Sequence, residues 1–259
     1  MRLLITNDDS LDCIFLHVLV HALRDAGHEL FVVAPKSEQS WIGAAKSRHR
    51  RVHSAAADRG FGCPTWVVDG TPSDCVNIAL AHLLAEKPDA VVSGINVGLN
   101  ASLSFIPASG TVAGAWEGVV HGLPAIALSQ HLSFAAFDRF KQSSGEPENE
   151  VMAALRSAAA HTVRMLPGIV AQTPARSFIL HNINFPFPCT DATEIRRTVP
   201  AQVIVPGLFS PQADDGTHSF IFKLGDDITP SDGPLSDRAA LNAGFISHSV
   251  LDFKKLCTL

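Results

Sequence analysis

Arg2-Leu3-Leu4-Ile5-Thr6-Asn7-Asp8-Asp9, the segment Leu11 to Ala26, and Leu30-Phe31-Val32-Val33-Ala34 together decide the fold of this chain. The first is a short apolar run with strand character that gives way to a polar turn. The second carries Ile14, Leu16, Val18, Leu19, Ala22 and Leu23 at helical spacing. Gly27 then stands where a helix C-terminus favours a left-handed residue. The third is a buried strand closed by Pro35. Strand, helix and strand within about thirty residues form a β-α-β unit, which sets the two strands parallel with a right-handed crossover.

The pattern recurs. Thr65 to Val68 reads as a strand, Pro72 to Ala85 as a helix and Asp89 to Ser93 as the next strand. Ser109-Gly110-Thr111 opens a helix that ends near Gly122, and Ala125 to Leu128 is another strand. This alternation predicts an α/β fold: a doubly wound, Rossmann-like parallel sheet covered by helices on both faces. Between His131 and Glu150 a polar insertion, including Gln142 to Pro147, reads as a mobile loop. Val151 to Leu166 reads as a helix and Phe178 to Ile183 as a strand. Beyond Pro186 the alternation stops. Ile195 to Val205 and Ser219 to Leu224 read as strands with no helix between them, either a C-terminal β-hairpin extension or an edge extension of the sheet. Asp237 to Leu251 reads as a short helix ending at Gly244 and a final strand. The expected organisation is an α/β catalytic domain over 1–186, a β-rich extension serving as an oligomerisation arm over 187–235, and a tail over 236–259 that returns to the main domain.

With 259 residues, 46% of them hydrophobic and 17% charged, the chain suits a well-buried globular core. A net charge of −5 argues against nucleic acid as the main partner. A small anionic substrate stays open, because a bound metal ion supplies positive charge locally. The N-terminal apolar run is too short for a signal-peptide core, and the window from Cys13 to Leu23 is broken by His17 and His21, so no membrane span is expected. Cysteines 13, 63, 75, 189 and 257 show no C-x-x-C spacing and read as reduced thiols of a cytoplasmic protein. His17 and His21, with no third ligand in view, read as surface or core-edge residues. The basic run Lys46 to Arg51 reads as a solvated loop, with phosphate steering as its alternative.

Open α/β sheets bind ligands at the carboxyl ends of their strands. Four segments deliver polar groups there: Asn7, Asp8 and Asp9; Ser37, Glu38, Gln39 and Ser40; Gly94, Asn96, Gly98 and Asn100; and Ser109, Gly110 and Thr111. Adjacent carboxylates repel one another unless a cation lies beside them. Carboxylate, amide and hydroxyl oxygens are hard ligands, suited to Mg²⁺, Mn²⁺ or Ca²⁺ rather than to zinc. The Ser-Gly-Thr helix start offers free N–H groups and the positive end of a helix dipole, an anion site suited to phosphate. Each feature has a plainer reading: an Asp N-cap for the Leu11 helix, a capped helix start at Ser109, a turn shaped by Asn96 and Asn100. Convergence of four segments on one rim favours phosphoryl chemistry.

Several motifs resemble a known family. Asn7-Asp8-Asp9, Ala34-Pro35 followed by Ser40, Gly70-Thr71-Pro72-Ser73-Asp74-Cys75-Val76, Ser93-Gly94-Ile95-Asn96-Val97-Gly98-Leu99-Asn100 and Ser109-Gly110-Thr111-Val112 are similar to those of the SurE survival-protein nucleotidases. Asn182-Ile183-Asn184-Phe185-Pro186 and the Asp237 to Ser247 tail are similar as well. The resemblance implies a metal-dependent 5′/3′-nucleotidase or acid phosphatase, in a homodimer or homotetramer with an exchanged C-terminal arm. It implies one divalent cation per subunit, Mg²⁺ or Mn²⁺, on Asp8, Asp9, Ser40 and Asn96. It places Asn100, Ser109, Gly110 and Thr111 around the phosphate, with Asp8, Asp9 and Asn96 as the catalytic set. The chain departs from the family at Ser10, where Gly is usual, at Lys36-Ser37, at Ala44-Ala45, at Ala108, and in a longer Asn100 to Ser109 loop. The expected function is hydrolysis of nucleoside 5′/3′-monophosphates or similar small phosphate esters by a metal-activated water. The alternative is a diverged protein that binds metal and nucleotide with little turnover. A D-x-D nucleophile, a phosphorylatable Asp ending the third strand and a G-x-G-x-x-G after strand one are all missing, which argues against the haloacid-dehalogenase, receiver and dinucleotide-binding readings.

Overall fold

A computed structural model describes residues 1–256. In chain order the elements are β1 (Arg2–Thr6), α1 (Ile14–Asp25), β2 (Glu29–Pro35), β3 (Ser54–Ala56), β4 (Thr65–Val68), α2 (Pro72–Ile78), β5 (Ala90–Val97), α3 (Gly110–Val120) and β6 (Ala125–Gln130). There follow α4 (Phe134–Gln142), α5 (Asn149–Gln172), β7 (Ile179–Phe185), β8 (Ile195–Thr198), β9 (Val203–Ile204), β10 (Asp226–Asp227), α6 (Asp237–Asn242) and β11 (Ile246–Asp252). The main sheet has nine strands in the order β3-β4-β2-β1-β5-β6-β7-β11-β8. From β4 to β7 every neighbouring pair is parallel, as the α/β alternation predicts.

Side chains of a strand alternate between faces, and here both faces are dry. Leu3 and Ile5 join the core that includes Phe15, Leu19, Leu155 and Ala158 of α1 and α5. Leu4 joins the opposite core with Val76 of α2 and Val112 and Ala115 of α3. The chain runs from β1 outward to β2 and β4, then returns to β5 on the other side of β1. The strand order therefore reverses between β1 and β5, and a crevice opens where two successive loops leave in opposite directions. Asp8 and Asp9 follow β1, and Asn96 lies near the end of β5, so the fold puts the acidic pair at that crevice.

Several elements differ from expectation. Helix α1 starts at Ile14, not Leu11, and Cys13 occupies its N-cap without a side-chain hydrogen bond, so neither Asp8 nor Asp9 caps it. The Leu11 amide instead donates to Pro35 O at 2.9 Å, tying the turn to β2. Helix α2 ends at Ile78 and passes into a wider turn over Ala79–Leu83. The segment expected to be a mobile loop holds α4, capped by Ser133 and anchored by buried Ala136 and Phe140. Its signal was a serine cap ahead of Phe134, Phe137 and Phe140 at helical spacing. Beyond β7, Ile195–Thr198 does not project as a hairpin; β8 extends the edge of the main sheet beside β11. Ser219 to Leu224 forms no strand; outside the main sheet stand the two-residue pair β9–β10 and isolated bridges at Val199–Ser236 and Phe209–Phe220. Alternating apolar residues in a loop mimic a strand when they face a cavity rather than a ladder partner.

Helix α5 continues through Pro167 to Gln172, past the expected end at Leu166, because Leu166 and Ile169 are both buried against the core. Gly168 lies on its exposed side, and a Cβ added there meets no atom within 4 Å. Glycine within a helix is less favourable than alanine by about 1 kcal/mol. Gly168→Ala should therefore raise the midpoint of thermal unfolding by a few degrees at unchanged function, as read by circular dichroism.

Candidate functional site

Asp8 and Asp9 occupy the turn after β1, and each is fixed by a different neighbour. The Asp8 backbone carbonyl accepts from the Gln39 amide at 2.7 Å. Its side-chain Oδ1 accepts from the Thr111 hydroxyl near the start of α3. Asp9 Oδ2 accepts from the Val97 amide at 2.9 Å, so the end of β5 orients it. Ser10, next in line, has a φ of +94°, in the left-handed region where glycine is at ease. The Asn7 side chain donates to Ser10 O at 2.8 Å and closes this turn.

Asn96 reaches the rim through an irregularity in β5, whose register with β6 shifts between Ser93 and Asn96. Gly94, at φ +130°, permits it: a Cβ there would stand 2.3 Å from Leu128 O. The Asn96 side chain donates to Gly98 O at 2.9 Å, which turns its nitrogen away and leaves its oxygen free. Asn100 is held more firmly. Its amide donates to Asn184 Oδ1 at 2.8 Å, its Nδ2 donates to Ser129 Oγ at 2.9 Å, and its carbonyl accepts from Asn182 Nδ2 at 2.8 Å. Ser109 is the N-cap of α3, and its Oγ accepts from the Val112 amide at 3.1 Å, leaving its own O–H to donate elsewhere.

Asp8, Asp9, Ser40, Asn96, Asn100 and Ser109 line one cavity of ≈ 700 Å³. Gly110 and Thr111 are not part of its wall. They sit behind Asp8, which comes so close to Gly110 that a Cβ there would lie 2.8 Å from Asp8 Cβ and 3.0 Å from Gln39 O. Ser40 is exposed at the rim, and its hydroxyl donates to Glu38 at 2.7 Å. Of the basic run, Lys46 is spent on buried Glu117 at 2.7 Å, which also accepts from Asn77. Arg50 pairs with Asp69. His17 and His21 stand edge-on to Phe61 at 4.7 and 5.9 Å.

The electrostatics of the cavity are one-sided. Asp8, Asp9, Glu38 and Asp138 bring four carboxylates to its wall, and among the described residues Lys141 is the one ammonium there. Lys141 itself pairs with Glu38 at 3.4 Å. His131 adds no charge, since burial lowers its pKa. Burial pushes the Asp8 carboxyl up to about 6, and the hydrogen bond from Thr111 only partly offsets it. Burial, then the charge of Asp8, pushes Asp9 well above the usual carboxylate range. A phosphate dianion cannot settle beside such a pair unless a cation neutralises it. The oxygens present fit that cation: two carboxylates, the free Asn96 oxygen and the Ser40 hydroxyl, all hard and none sulfur or imidazole. Among the described residues no three His, Cys, Asp or Glu side chains lie close enough to hold one metal ion together, so neutral oxygens would have to complete the shell.

The sequence reading missed the apolar half of the cavity. Trp41, Phe105, Phe134, Phe137, Phe220, Phe222 and Leu224 line it, from four separate segments. A composition of fifteen phenylalanines with no tyrosine was the available hint, together with Phe220 and Phe222 in a segment otherwise built like a loop.

With the geometry in hand, residues 3–204 match the family described as Survival protein SurE. The 5′-nucleotidase SurE of Solidesulfovibrio magneticus is 34% identical over 261 residues, covering 98% of this chain and 92% of that protein. The 5′-nucleotidase SurE of Gloeobacter violaceus is 32% identical over 261 residues, with coverage of 98% and 90%. The crystal structure of the SurE protein from Aquifex aeolicus aligns with a TM-score of 0.73, covering 99% of this chain and 98% of that one. At 24% identity this is a likeness of fold.

Proposed function

From the premise that this chain belongs to the survival protein SurE family, we propose that it is a divalent-metal-dependent phosphomonoesterase acting on nucleoside 5′- or 3′-monophosphates or similar small phosphate esters. The carrying observation is a carboxylate pair, Asp8 buried and Asp9 partly so, that no salt bridge neutralises, set at the strand-order reversal and backed by a helix N-terminus. Asp8, Asp9, Ser40 and Asn96 would hold one Mg²⁺ or Mn²⁺. When bound, that ion supplies Lewis-acid polarisation of a phosphate oxygen and of a water. Thr111 and the Gln39 amide keep Asp8 in place, and the Val97 amide keeps Asp9, so the pair needs no rearrangement during the reaction. The Ser109 O–H and the pinned Asn100 side-chain amide would offset charge on the phosphate oxygens, with the dipole of α3 acting from behind Asp8. Water attacks phosphorus directly, and no side chain of the site need form a bond to it.

A homodimer or homotetramer suits the exposed apolar residues of the C-terminal segments, among them Ile204, Phe209 and Ile228. No helix among the described residues is long and apolar enough to cross a membrane. Cys13, Cys63, Cys75 and Cys189 are free, which favours a reducing, cytoplasmic location; Cys257 lies outside the described residues.

The test is phosphate release from 5′- and 3′-nucleoside monophosphates with Mn²⁺, with Mg²⁺ and with chelator, beside Asp8→Asn. Metal-dependent release abolished by the substitution is the expected result. No release from nucleotides or from a generic phosphate ester would overturn the enzyme and leave the binding protein. A trapped phospho-aspartate would overturn direct attack by water.

A further inference from the structure

A phosphate and one cation fill only a corner of a ≈ 700 Å³ cavity; the rest is the size of a small organic ligand. Most of that remainder is apolar, with His131, Asp138 and Lys141 as its polar members. Trp41 follows Ser40 directly, so the wall of rings begins one residue from the proposed cation ligands. Its ring centroid lies 5.0 Å from Phe220, 5.6 Å from Phe105 and 6.1 Å from Phe222, at interplanar angles of 57°, 89° and 61°. Rings so tilted build a wall rather than a closed stack, and three of them stay partly open: Trp41 is 40% exposed, Phe220 45% and Phe222 44%.

Two further observations separate this wall from incidental apolar surface. Trp41 is held at φ +63°, a conformation that bulky side chains rarely adopt, so the backbone is strained at the residue that presents the ring. The wall is also nearly mute in hydrogen bonding. Of Trp41, Phe105, Phe220, Phe222 and Leu224, the indole N–H is the single side-chain polar group. It can stack a ring but cannot read the polar edges that tell one base from another. Stacking tolerates any ring, because every ring presents a π-face.

We propose that this wall makes the site select phosphate monoesters whose alcohol carries a flat aromatic ring, taken by stacking on Trp41 with little regard to which ring it is. The inference rests on the phosphomonoesterase reading above and names its substrate class. In the reaction the water oxygen bonds to phosphorus, the phosphorus–oxygen bond to the alcohol breaks, and the alcohol leaves protonated with its ring. Nucleotides and simple aryl phosphates share this chemistry, and the experiment separates them.

The kcat/KM of the Mn²⁺-loaded protein would be measured for adenosine and cytidine 5′-monophosphates, 1-naphthyl phosphate and ribose 5-phosphate, with the unsubstituted chain and with Trp41→Gly. Glycine accepts φ +63°, so this variant removes the ring without adding strain to the backbone. The three ring-bearing esters should lie within about tenfold of one another and roughly tenfold or more above ribose 5-phosphate. Trp41→Gly should lower the three by about tenfold, mainly through KM, while ribose 5-phosphate, having no ring to lose, moves by less than about twofold. Equal losses on all four esters, no loss on any, or refusal of naphthyl phosphate beside good nucleotide turnover would each overturn the inference. If nothing is hydrolysed with any metal, the phosphomonoesterase reading fails, and calorimetric titration with adenosine and 1-naphthol then decides the wall by itself. Binding of both, weakened about tenfold by Trp41→Gly, upholds it; no binding to the unsubstituted chain overturns it.

Discussion

Asp9→Asn is expected to make the metal-free protein more stable at pH 7.5, by on the order of 2 kcal/mol or a thermal midpoint about 5 °C higher, while lowering phosphate release by roughly a thousandfold. Both effects have one cause. Asp9 is partly buried beside Asp8, with Glu38 adding further negative charge, and desolvation with repulsion raises its pKa in the folded state. A carboxyl whose folded pKa lies above its unfolded value contributes stability at low pH. That contribution fades as pH rises from about 4 through the raised folded pKa. At pH 7.5 the metal-free fold must therefore either hold uncompensated charge or take up a proton, and the isosteric amide removes that cost while still accepting from the Val97 amide. Below about pH 4, where both carboxyls are neutral, variant and parent should melt together. Added Mn²⁺ should raise the midpoint of the parent and leave that of the variant nearly unchanged. Differential scanning calorimetry at pH 4 and 7.5, with and without Mn²⁺, measures all of this. A variant less stable than the metal-free parent at pH 7.5 would mean that the pair is not held under electrostatic strain.

The parts of this fold that were legible are those in which local pattern and burial agree. Leu3 to Ile5, Leu30 to Ala34 and Val91 to Val92 are apolar because their strands are covered on both faces, and their short length separates them from buried helices. The rim was legible for the same reason: polar residues that follow a buried parallel strand have one end of the sheet to occupy. Element ends were less so. The Leu11 amide is taken by Pro35, at the far end of the crossover, and that bond delays α1 by a turn without leaving any trace in helical spacing.

The apolar wall was hidden for another physical reason. Trp41, Phe105, Phe137 and Phe222 come from segments far apart in sequence, and each alone reads as scattered core or surface. Their common address is set by tertiary placement of α4 and of the segment around Phe220, where no periodicity operates. Thr111 shows the converse. Its position in Ser109-Gly110-Thr111 suggested a phosphate contact, and the structure gives its hydroxyl to Asp8 instead. Motif spacing locates a residue on the rim, whereas the competing hydrogen-bond partner that claims it is visible only in three dimensions.

That claim makes Gly110→Ala the sharpest probe of how the acidic pair is held. A Cβ on Gly110 would lie 2.8 Å from Asp8 Cβ, 2.9 Å from Asp8 Oδ2 and 3.0 Å from Gln39 O. Asp8 cannot simply step aside, because its carbonyl is tied to the Gln39 amide and its carboxylate to Thr111, on the same turn of α3 as the intruding methyl. Either the carboxylate rotates off the cavity wall or α3 moves away from β1, and both displace an oxygen that the cation requires. Overpacking of this kind costs about 1 to 3 kcal/mol in stability. A displaced ligand should weaken Mn²⁺ binding and phosphate release by about a hundredfold, since misplacing a catalytic group by an ångström costs that much. Alanine at Gly168, in open space on α5, carries the opposite sign of stability change and no change in metal binding, so the two variants together separate crowding at the site from helix propensity. Calorimetric titration of Mn²⁺ into Gly110→Ala is the deciding measurement. Affinity equal to that of the unsubstituted chain would mean that Asp8 is not a ligand, whatever the variant does to turnover.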